Sequence, residues 1–338
     1  MDMRYSDRLA VYTQIEKERD SSVLTYVTSD RIGMQTAINT DVIEPFVDLL
    51  DLIGPVKRIS LILHTNGGQT LAAWRLINLL RMFCDELEVL IPSKALSAGT
   101  LMSIGADKIV MTKQAVLGPI DPSINNPLNP QVNVGGQASQ VSVSVESVRG
   151  YLNLTREELG IVDTQHLTRI LLDLSDYIHP VVLGDIFRST EQIRFLARKL
   201  LPRQVKDETS MKSIVDFLCA DTGSHDYTID RREASELGLQ VEKPSADLYQ
   251  LLKEIHTSYN TELQLQNPFS PMEFFGGGKA PSQEYVIPRG LIEGTTGGSY
   301  SYVSEGTMTL TQIREEGNPI PQNLLNDNRT FEGWRKTT

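Results

Sequence analysis

The sequence RISLILHTNGG, residues 58–68, decides the fold. It begins with a short, nearly continuous apolar run, which is typical of a strand buried on both faces of a sheet. Gly67 and Gly68 follow, and glycine at this place permits a tight turn and close approach of the backbone to a ligand. The next stretch, TLAAWRLINLLRMF (70–83), has apolar residues at helical spacing. The segment therefore predicts a strand, a glycine turn and a helix.

The same alternation continues along the chain. ELEVLIP (86–92) predicts a second buried strand, and SAGTLMSIGA (97–106) predicts a short helix. DKIVM (107–111) and AVLG (115–118) predict two further short strands. This order of strands and helices favours a parallel sheet with helices on its faces. We therefore predict an α/β fold.

The flanking sequence predicts further helices around this centre. Helices are expected over Asp7–Arg19 and residues 41–53, and later over QHLTRILLDLSDYI (165–178) and EQIRFLARKLL (191–201), where apolar residues fall on one stripe. Residues 122–150 are rich in Pro, Asn and Gly in their first half, which predicts a long loop with a β-ribbon.

The carboxyl-terminal part differs from the rest of the chain in its amino-acid composition. NPFSPMEFFGGGKAP (267–281) and GLIEGTTGGS (290–299) are rich in Pro and Gly, and the remainder has no obvious core beyond a possible hairpin. We predict one domain over residues 1–265 and a Gly/Pro-rich linker with an irregular extension over residues 266–338.

Composition limits the partners. The chain has 338 residues, a formal net charge of −11 and a pI of about 5.0, so nucleic acid is not an expected partner. Cys84 and Cys219 lie in apolar runs and are expected to be free thiols, as in a reducing compartment. The charged first twenty residues predict no secretory leader, and no apolar run predicts a membrane span. We expect a cytosolic protein.

Two neighbouring junctions could carry chemistry. Sequence motifs for zinc, nucleotide or dinucleotide binding are absent, so no metal and no cofactor is predicted. In KALSAGT (94–100), Ser97 opens a helix, where its hydroxyl would lie near free backbone N–H groups. The turn at Gly67-Gly68 follows an adjacent strand, and such turns meet at the carboxyl edge of a parallel sheet. A serine at a helix start is also a common cap, and a glycine pair is a common turn.

The run from Ile59 to Pro122 resembles the Clp-fold serine peptidases. LHTNGG (63–68), ALSAGTL (95–101), GADKIVM (105–111) and LGPIDP (117–122) are similar to motifs of the serine dehydrogenase proteinases, the SDH family, which are related to signal peptide peptidase A. The resemblance covers roughly residues 20–245. It implies a Clp/crotonase-like fold of repeated ββα units, a peptide or protein substrate and a homo-oligomer.

The resemblance also implies roles for individual residues. Ser97 stands where the family has its nucleophile. Gly68 and Ala98 stand where backbone N–H groups would form an oxyanion hole, and Gly67 and Gly99 are expected to support the turn and contact substrate. The implied activity is hydrolysis of peptide bonds.

The chain differs from the families that it resembles in the residue that would serve as general base. Clp subunits have a histidine after the strand that follows the nucleophile helix, whereas LGPIDP (117–122) contains none. The lysine setting of signal peptide peptidase A is absent as well. A serine hydroxyl needs a base, and we predict a histidine, His179 ahead of His225.

Three other side chains are alternative candidates for the general base. Lys199 lies on a later helix but away from its apolar stripe, His64 adjoins the glycine turn, and Lys94 precedes Ser97 by three residues. The missing standard base leaves open a catalytically silent Clp-fold scaffold that binds peptides or partners. A crotonase-like acyl-CoA enzyme is a third hypothesis, although those relatives normally lack a serine at this place.

Overall fold

The structure, a computed structural model, describes residues 5–120, 123–124, 126–134, 137–141, 143–221, 226–275, 282–313 and 322–337. The helices are α1 (Tyr5–Arg19), α2 (Ile43–Ile53), α3 (Thr70–Arg81), α4 (Ala98–Ile104), α5 (Val145–Asn153), α6 (Thr164–Tyr177), α7 (Pro180–Leu200), α8 (Glu208–Asp216), α9 (Arg231–Glu236), α10 (Ala246–Leu263) and α11 (Pro271–Phe274). The strands are β1 (Ser22–Thr28), β2 (Val56–His64), β3 (Cys84–Ile91), β4 (Lys94–Ala95), β5 (Lys108–Met111), β6 (Val116–Leu117), β7 (Ser123–Ile124), β8 (Gln131–Val134), β9 (Gln137–Gln140), β10 (Val143–Ser144), β11 (Ile229–Asp230), β12 (Val241–Glu242), β13 (Ser282–Gly294), β14 (Ser299–Ile313) and β15 (Gln322–Lys336).

Eight strands form the central sheet, in the order β12-β5-β3-β2-β1-β13-β14-β15. The first five of these are parallel to one another. The other three continue the sheet in antiparallel fashion, because β13 pairs with β1 and then with β14. The predicted α/β class and the predicted strand–helix alternation around residues 58–111 are confirmed.

Alternation along β2 divides the core between the two faces of the sheet. Leu61 and Leu63 face one cluster of buried side chains, which also includes residues of α2, α3, α4 and α7. Ile62 faces the other cluster, which includes residues of α1 and α10. β2 reads as a continuous apolar run because helices cover both of its faces.

The carboxyl-terminal strands differ from the predicted irregular extension. β13, β14 and β15 are long and regular, and their Gly and Pro residues are concentrated at interruptions. The pairing shifts register between Pro288 and Gly290, and Gly297 and Gly298 have φ of 95° and 92° at the turn that follows β13. Glycine density therefore marks a bulge and a turn here, not a lack of structure. The domain boundary at residue 265 stays a prediction.

Two further expectations concern cysteines and membranes. Cys84 and Cys219 are both free thiols, and Cys219 is buried. Among the helices of the described residues, none combines the length and apolar character needed to cross a bilayer.

Candidate active site

Ser97 occupies a strained backbone conformation between β4 and α4. Its φ of 52° and ψ of −112° lie in a region that non-glycine residues rarely adopt. Such a conformation costs on the order of 1–3 kcal/mol and persists only where the surroundings enforce it. The Ser97 side chain is half-buried and lines a cleft. Among the described residues, no side chain hydrogen-bonds its hydroxyl.

Thr100 holds the first turn of α4 in place. Its hydroxyl lies 2.9 Å from the carbonyl oxygen of Ala95 and 2.7 Å from that of Gly118, and it accepts a hydrogen bond from the Gly118 N–H at 3.1 Å. This buried hydroxyl ties α4 to both β4 and the end of β6. The position of Ser97 is thereby fixed from its carboxyl side.

The glycine turn contacts Ser97 directly. Gly67 has a φ of 113°, and a Cβ atom there would lie 2.8 Å from the Ser97 Cβ. At Gly68 a Cβ would lie 2.3 Å from the carbonyl oxygen of Ile38. Both positions therefore require glycine, for conformation and for space. The close approach explains why a glycine pair follows β2.

Backbone pairing orients Gly68. Ile38 donates its N–H to the Gly67 carbonyl at 2.8 Å, and its own carbonyl accepts from the Gln69 N–H at 2.8 Å. In a parallel bridge of this kind, the N–H of the intervening Gly68 points to the opposite side. Ala98 is the first residue of α4, where a helical N–H has no intrahelical acceptor. Within the described residues, neither N–H donates a backbone hydrogen bond.

Gly99 and Gly67 lie behind the site. The Gly99 N–H donates to the Leu96 carbonyl at 2.8 Å, and a Cβ at Gly99 would lie 2.5 Å from the Thr65 Cγ2. Neither glycine belongs to the described lining of the cleft. Both residues have close packing contacts, and their predicted contact with substrate stays a prediction.

The cleft beside Ser97 has a volume of about 660 Å³. Its walls come from the segment 35–41, from one face of α7 and from the three carboxyl-terminal strands. The carboxyl-terminal wall consists of Arg289, Tyr302, Glu332 and Trp334. The Tyr302 and Trp334 rings meet edge to face with centroids 5.4 Å apart. Sequence reasoning missed this wall because it lies about two hundred positions from Ser97 in the chain.

Charged groups of this wall are paired. Arg289 donates from one terminal nitrogen to the Ser304 hydroxyl at 2.8 Å and from Nε to the Met34 carbonyl at 3.2 Å. The same terminal nitrogen lies 3.1 Å from a Glu332 carboxylate oxygen. Burial would raise the pKa of Glu332, but Arg289 and Arg329 lower it overall. Burial raises the pKa of Asp41 on the facing segment.

The structure does not bring His179 to Ser97. His179 is exposed and caps α7, where its Nδ1 accepts a hydrogen bond from the Val181 N–H at 3.2 Å. On this helix the cleft is lined by Ser189, Gln192 and Ile193. Ser189 lies ten positions after His179, which is about 15 Å along a helix axis. A histidine before a proline at a helix start has a capping function that the sequence pattern did not distinguish.

The other candidate bases have different positions. His225 lies outside the described residues. Lys199 lies over the Phe195 ring, with its Nζ 5.5 Å from the centroid, and is not part of the cleft. His64 and Lys94 lie together at a second pocket on the other face of the sheet. The cleft lining known from the described residues thus contains no histidine and no lysine.

Metal binding receives no support in the described part of the chain. No group of three or more His, Cys, Asp or Glu side chains is arranged there to hold a metal ion.

The family similarity lies in the segment that builds this site. Residues 1–135 match the sequence profile of the ClpP-like SDH-type serine proteinase family. This segment includes the parallel strands β1, β2, β3 and β5, the glycine turn and Ser97. The resemblance noted in the sequence is confirmed over it, and the ClpP-like fold class is confirmed as well.

Two uncharacterized proteins of Methanocaldococcus jannaschii are similar over a longer stretch. One is 28% identical over 255 residues, which cover 74% of this chain and 78% of that protein. The other is 28% identical over 249 residues, which cover 71% of this chain and 74% of that protein. The similarity therefore continues beyond the family segment into α7 and the residues that follow it.

Solved structures show more distant likeness. Two structures of variants of 1510-N, a membrane-bound stomatin-specific protease, match with TM-scores of 0.37 and 0.35 at 13% and 14% identity. They cover 64% and 63% of this chain and 79% and 74% of theirs, and the second holds a substrate peptide. ClpP1 from Listeria monocytogenes gives a TM-score of 0.35 at 13% identity, covering 70% of this chain and 98% of its own.

Proposed function

We propose that this protein is a serine peptidase that hydrolyses peptide bonds with Ser97 as nucleophile. The observation that carries the proposal is the strained backbone of Ser97, whose hydroxyl has no side-chain partner among the described residues and lies beside the turn that brings Gly68 and Ala98 together. Strained residues cluster at active sites, and a sharp turn that exposes a nucleophile is typical of acyl-transfer sites.

The proposed reaction has two steps. The Ser97 oxygen attacks the carbonyl carbon of an extended peptide, and its proton passes to a base. The oxyanion that forms accepts hydrogen bonds from the Gly68 and Ala98 N–H groups, which is where most of the rate enhancement would arise. The amine leaves with a proton, and water then hydrolyses the acyl-enzyme.

The Ser97 hydroxyl requires a general base. Of the two predicted histidines, we keep His225 as the candidate, because His179 is engaged as a helix cap about 15 Å along α7 from the nearest cleft residue. His225→Ala should abolish hydrolysis, whereas His179→Ala should leave the rate constant kcat near that of the wild type. Equal kcat values for both variants would remove His225 from the mechanism.

Hydrolysis of a fluorogenic peptide mixture tests the nucleophile. Ser97→Ala should lose at least about 10³-fold in kcat/KM, which is a magnitude typical of nucleophile loss. Ser189→Ala is the matched control, because this serine lines the same cleft from α7. A Ser97→Ala variant that hydrolyses the peptides at the wild-type rate would contradict the proposal.

A peptide-binding scaffold without turnover is the second candidate. It is favoured by the lack of histidine and lysine in the cleft lining formed by the described residues. Under this alternative, the wild type binds labelled peptides in fluorescence anisotropy but shows no hydrolysis above the Ser97→Ala background. Peptide binding with measurable turnover would exclude it.

We also propose a homo-oligomer, as the family resemblance implies. Helix α6 has no buried residue in the single chain, although its apolar residues recur at helical spacing. Leu172 is 60% exposed, and Phe187 on the adjoining α7 is 71% exposed. Large exposed apolar groups on neighbouring helices are typical of an interface. Sedimentation velocity should show an assembly that Leu172→Glu with Phe187→Glu reduces to monomer; a monomeric wild type would contradict the proposal. The cytosolic location stays a prediction.

A further inference from the structure

We propose that a second pocket, on the face of the sheet opposite Ser97, binds a small zwitterion of the α-amino-acid type. This distal pocket has a volume of about 220 Å³ and is lined by Asp30, His64, Ser93, Lys94, Gln114, Val116, His256, Asn260, Leu265 and Gln266. The inference concerns ligand binding and does not depend on the role of Ser97.

The fold places the distal pocket away from the cleft. His64 follows Ile62 by two positions in β2, so both side chains face α1 and α10. α10 supplies His256, Tyr259 and Asn260 from this side. α7, which carries residues of the Ser97 cleft, covers the other face together with α4, whose first residue follows Ser97.

Polar atoms without partners are concentrated at this pocket. His64 is only 2% exposed, and neither of its ring nitrogens has a hydrogen-bond partner among the described residues. The same holds for Asp30 Oδ1 and for the Tyr259 hydroxyl, whose ring lies 5.2 Å from that of His64. Buried polar atoms without partners cost on the order of 1–3 kcal/mol each. Three of these atoms belong to Asp30 and His64, which line the cavity, and the fourth belongs to Tyr259, whose ring packs against His64. They indicate a site shaped for a polar occupant.

The charges of the distal pocket balance. Asp30 forms an ion pair with Lys94 through Oδ2, and the same oxygen lies 3.6 Å from His64 Nε2, which is close enough for attraction but too far for a hydrogen bond. Burial lowers the pKa of both His64 and His256, so both rings are neutral near neutral pH. The site therefore carries one negative and one positive charge.

This charge pattern selects the class of ligand. A metal cation would meet the Lys94 ammonium, and a phosphate would meet the Asp30 carboxylate. A zwitterion fits across the ion pair, with its ammonium next to Asp30 and its carboxylate next to Lys94. The ammonium and carboxylate of an α-amino acid are roughly 3 Å apart, which is the spacing of a direct ion pair.

The size and the remaining lining fit the same class. The volume of about 220 Å³ is a third of the 660 Å³ of the Ser97 cleft, which favours a small amino acid over an extended peptide. The amides of Gln114, Asn260 and Gln266 surround the charged pair, while Val116 and Leu265 provide the apolar contacts. The amides would accept a short polar side chain, so serine-sized amino acids should bind best.

Isothermal titration calorimetry on the full chain tests the proposal. The probes are glycine, L-serine and L-alanine, compared with acetate, methylammonium, inorganic phosphate and zinc chloride. At least one amino acid should bind with one site per chain, and acetate and methylammonium alone should bind at least about tenfold more weakly, because each makes half of the contacts. Failure of all three amino acids to bind in the millimolar range, or tighter binding of phosphate or zinc, would overturn it.

A double variant separates binding from folding. Asp30→Asn with Lys94→Met removes both charges together, so no unpaired charge is left in the pocket, and it should raise the amino-acid Kd about tenfold or more. Asp20→Asn with Lys57→Met removes an exposed ion pair, 3.7 Å apart, and should leave the Kd unchanged. Circular dichroism confirms that both double variants are folded. Unchanged affinity in the Asp30/Lys94 variant would refute the site.

Discussion

At the scale of the residue, the candidate site depends on a strained serine held by a glycine that nothing larger can replace. Gly67 has a φ of 113°, and its α-carbon lies so near Ser97 that a methyl group would come within 2.8 Å of the Ser97 Cβ. The close contact between these two residues therefore accounts both for the strained backbone of Ser97 and for the requirement for glycine at residue 67. Both follow from the meeting of two strand ends at one edge of the sheet.

Replacement of this glycine should damage both stability and the site. We expect Gly67→Ala to lower the free energy of unfolding by about 1–3 kcal/mol, because the new side chain has an unfavourable φ and displaces Ser97. Gly184→Ala is the control, since a Cβ at this position in α7 meets nothing within 4 Å and should stabilise by up to about 1 kcal/mol. Urea unfolding measures both, and equal values for the two variants would contradict the described contact.

Burial of His256 predicts a loss of stability in mild acid. Its pKa is lowered from 6.5 to about 4, first by burial and then by the neighbouring His64. Because the ring binds a proton more readily in the unfolded chain, protonation favours unfolding. The free energy of unfolding is therefore unaffected by this histidine above pH about 6.5 and decreases as the pH falls from there towards 4. His256→Asn should flatten this decrease in urea unfolding, whereas substitution of the exposed His166 by Gln should not. A wild-type slope retained in His256→Asn would show that other groups cause it.

At the scale of the element, β13 is the strand that joins the carboxyl-terminal part to the family-like core. It pairs with β1, and Glu293 near its end lies fully buried. Arg8 of α1 contacts this carboxylate through two nitrogens, at 2.8 and 2.5 Å, and Tyr12 donates to it at 2.6 Å. A third Arg8 nitrogen lies 2.6 Å from Glu262 of α10. Three elements distant in sequence are thereby fixed to one another.

Loss of Arg8 should be severe. Arg8→Met leaves Glu293 buried without its cation, and we expect the free energy of unfolding to fall by about 3–5 kcal/mol. Lys57→Met removes a cation from an exposed pair 3.7 Å apart, and its effect should stay within about 0.5 kcal/mol. Denaturant unfolding of the two variants compares them directly. A loss of less than about 1 kcal/mol in Arg8→Met would mean that the buried cluster does not stabilise this junction.

The elements also differ in how far the sequence predicted them. β2, α3, β3 and α4 were predicted because their apolar periodicity and glycine turn are local properties. The possible hairpin predicted after residue 299 corresponds to the antiparallel pair of β14 and β15. β13 was not predicted as a strand, because its sequence is interrupted by glycine and its pairing with β1 spans almost the whole chain. The stripe on α6 was predicted, but the helix lies largely exposed, since periodicity indicates an apolar face without saying what covers it.

At the scale of the whole molecule, the sheet is shared between the parallel core and the carboxyl-terminal strands. Ser97, the glycine turn and their positions were predictable from local sequence. The wall formed by Arg289, Tyr302, Glu332 and Trp334 was not, because only the folded sheet brings these residues to the cleft. The pairing of His64 with His256 in the distal pocket was hidden for the same reason.

Truncation after residue 267 should therefore fail to give a stable protein. It would leave the β1 edge unpaired and remove Glu293 from Arg8. We expect aggregation in size-exclusion chromatography and loss of cooperative thermal unfolding. Truncation after residue 313 removes β15 alone and should preserve folding while it removes Glu332 and Trp334 from the cleft. A folded, more reactive 1–267 fragment would instead show that the carboxyl-terminal strands act as a removable cover.

The central claim is that the Ser97 hydroxyl is a nucleophile next to an oxyanion hole. Its most direct test is reaction with a serine-reactive fluorophosphonate, followed by mass spectrometry of the digested protein to locate the adduct. The account predicts one adduct per chain, on the peptide that contains Ser97, absent in Ser97→Ala and retained in Ser189→Ala. A wild-type protein that stays unlabelled, or an adduct on another serine, would contradict it.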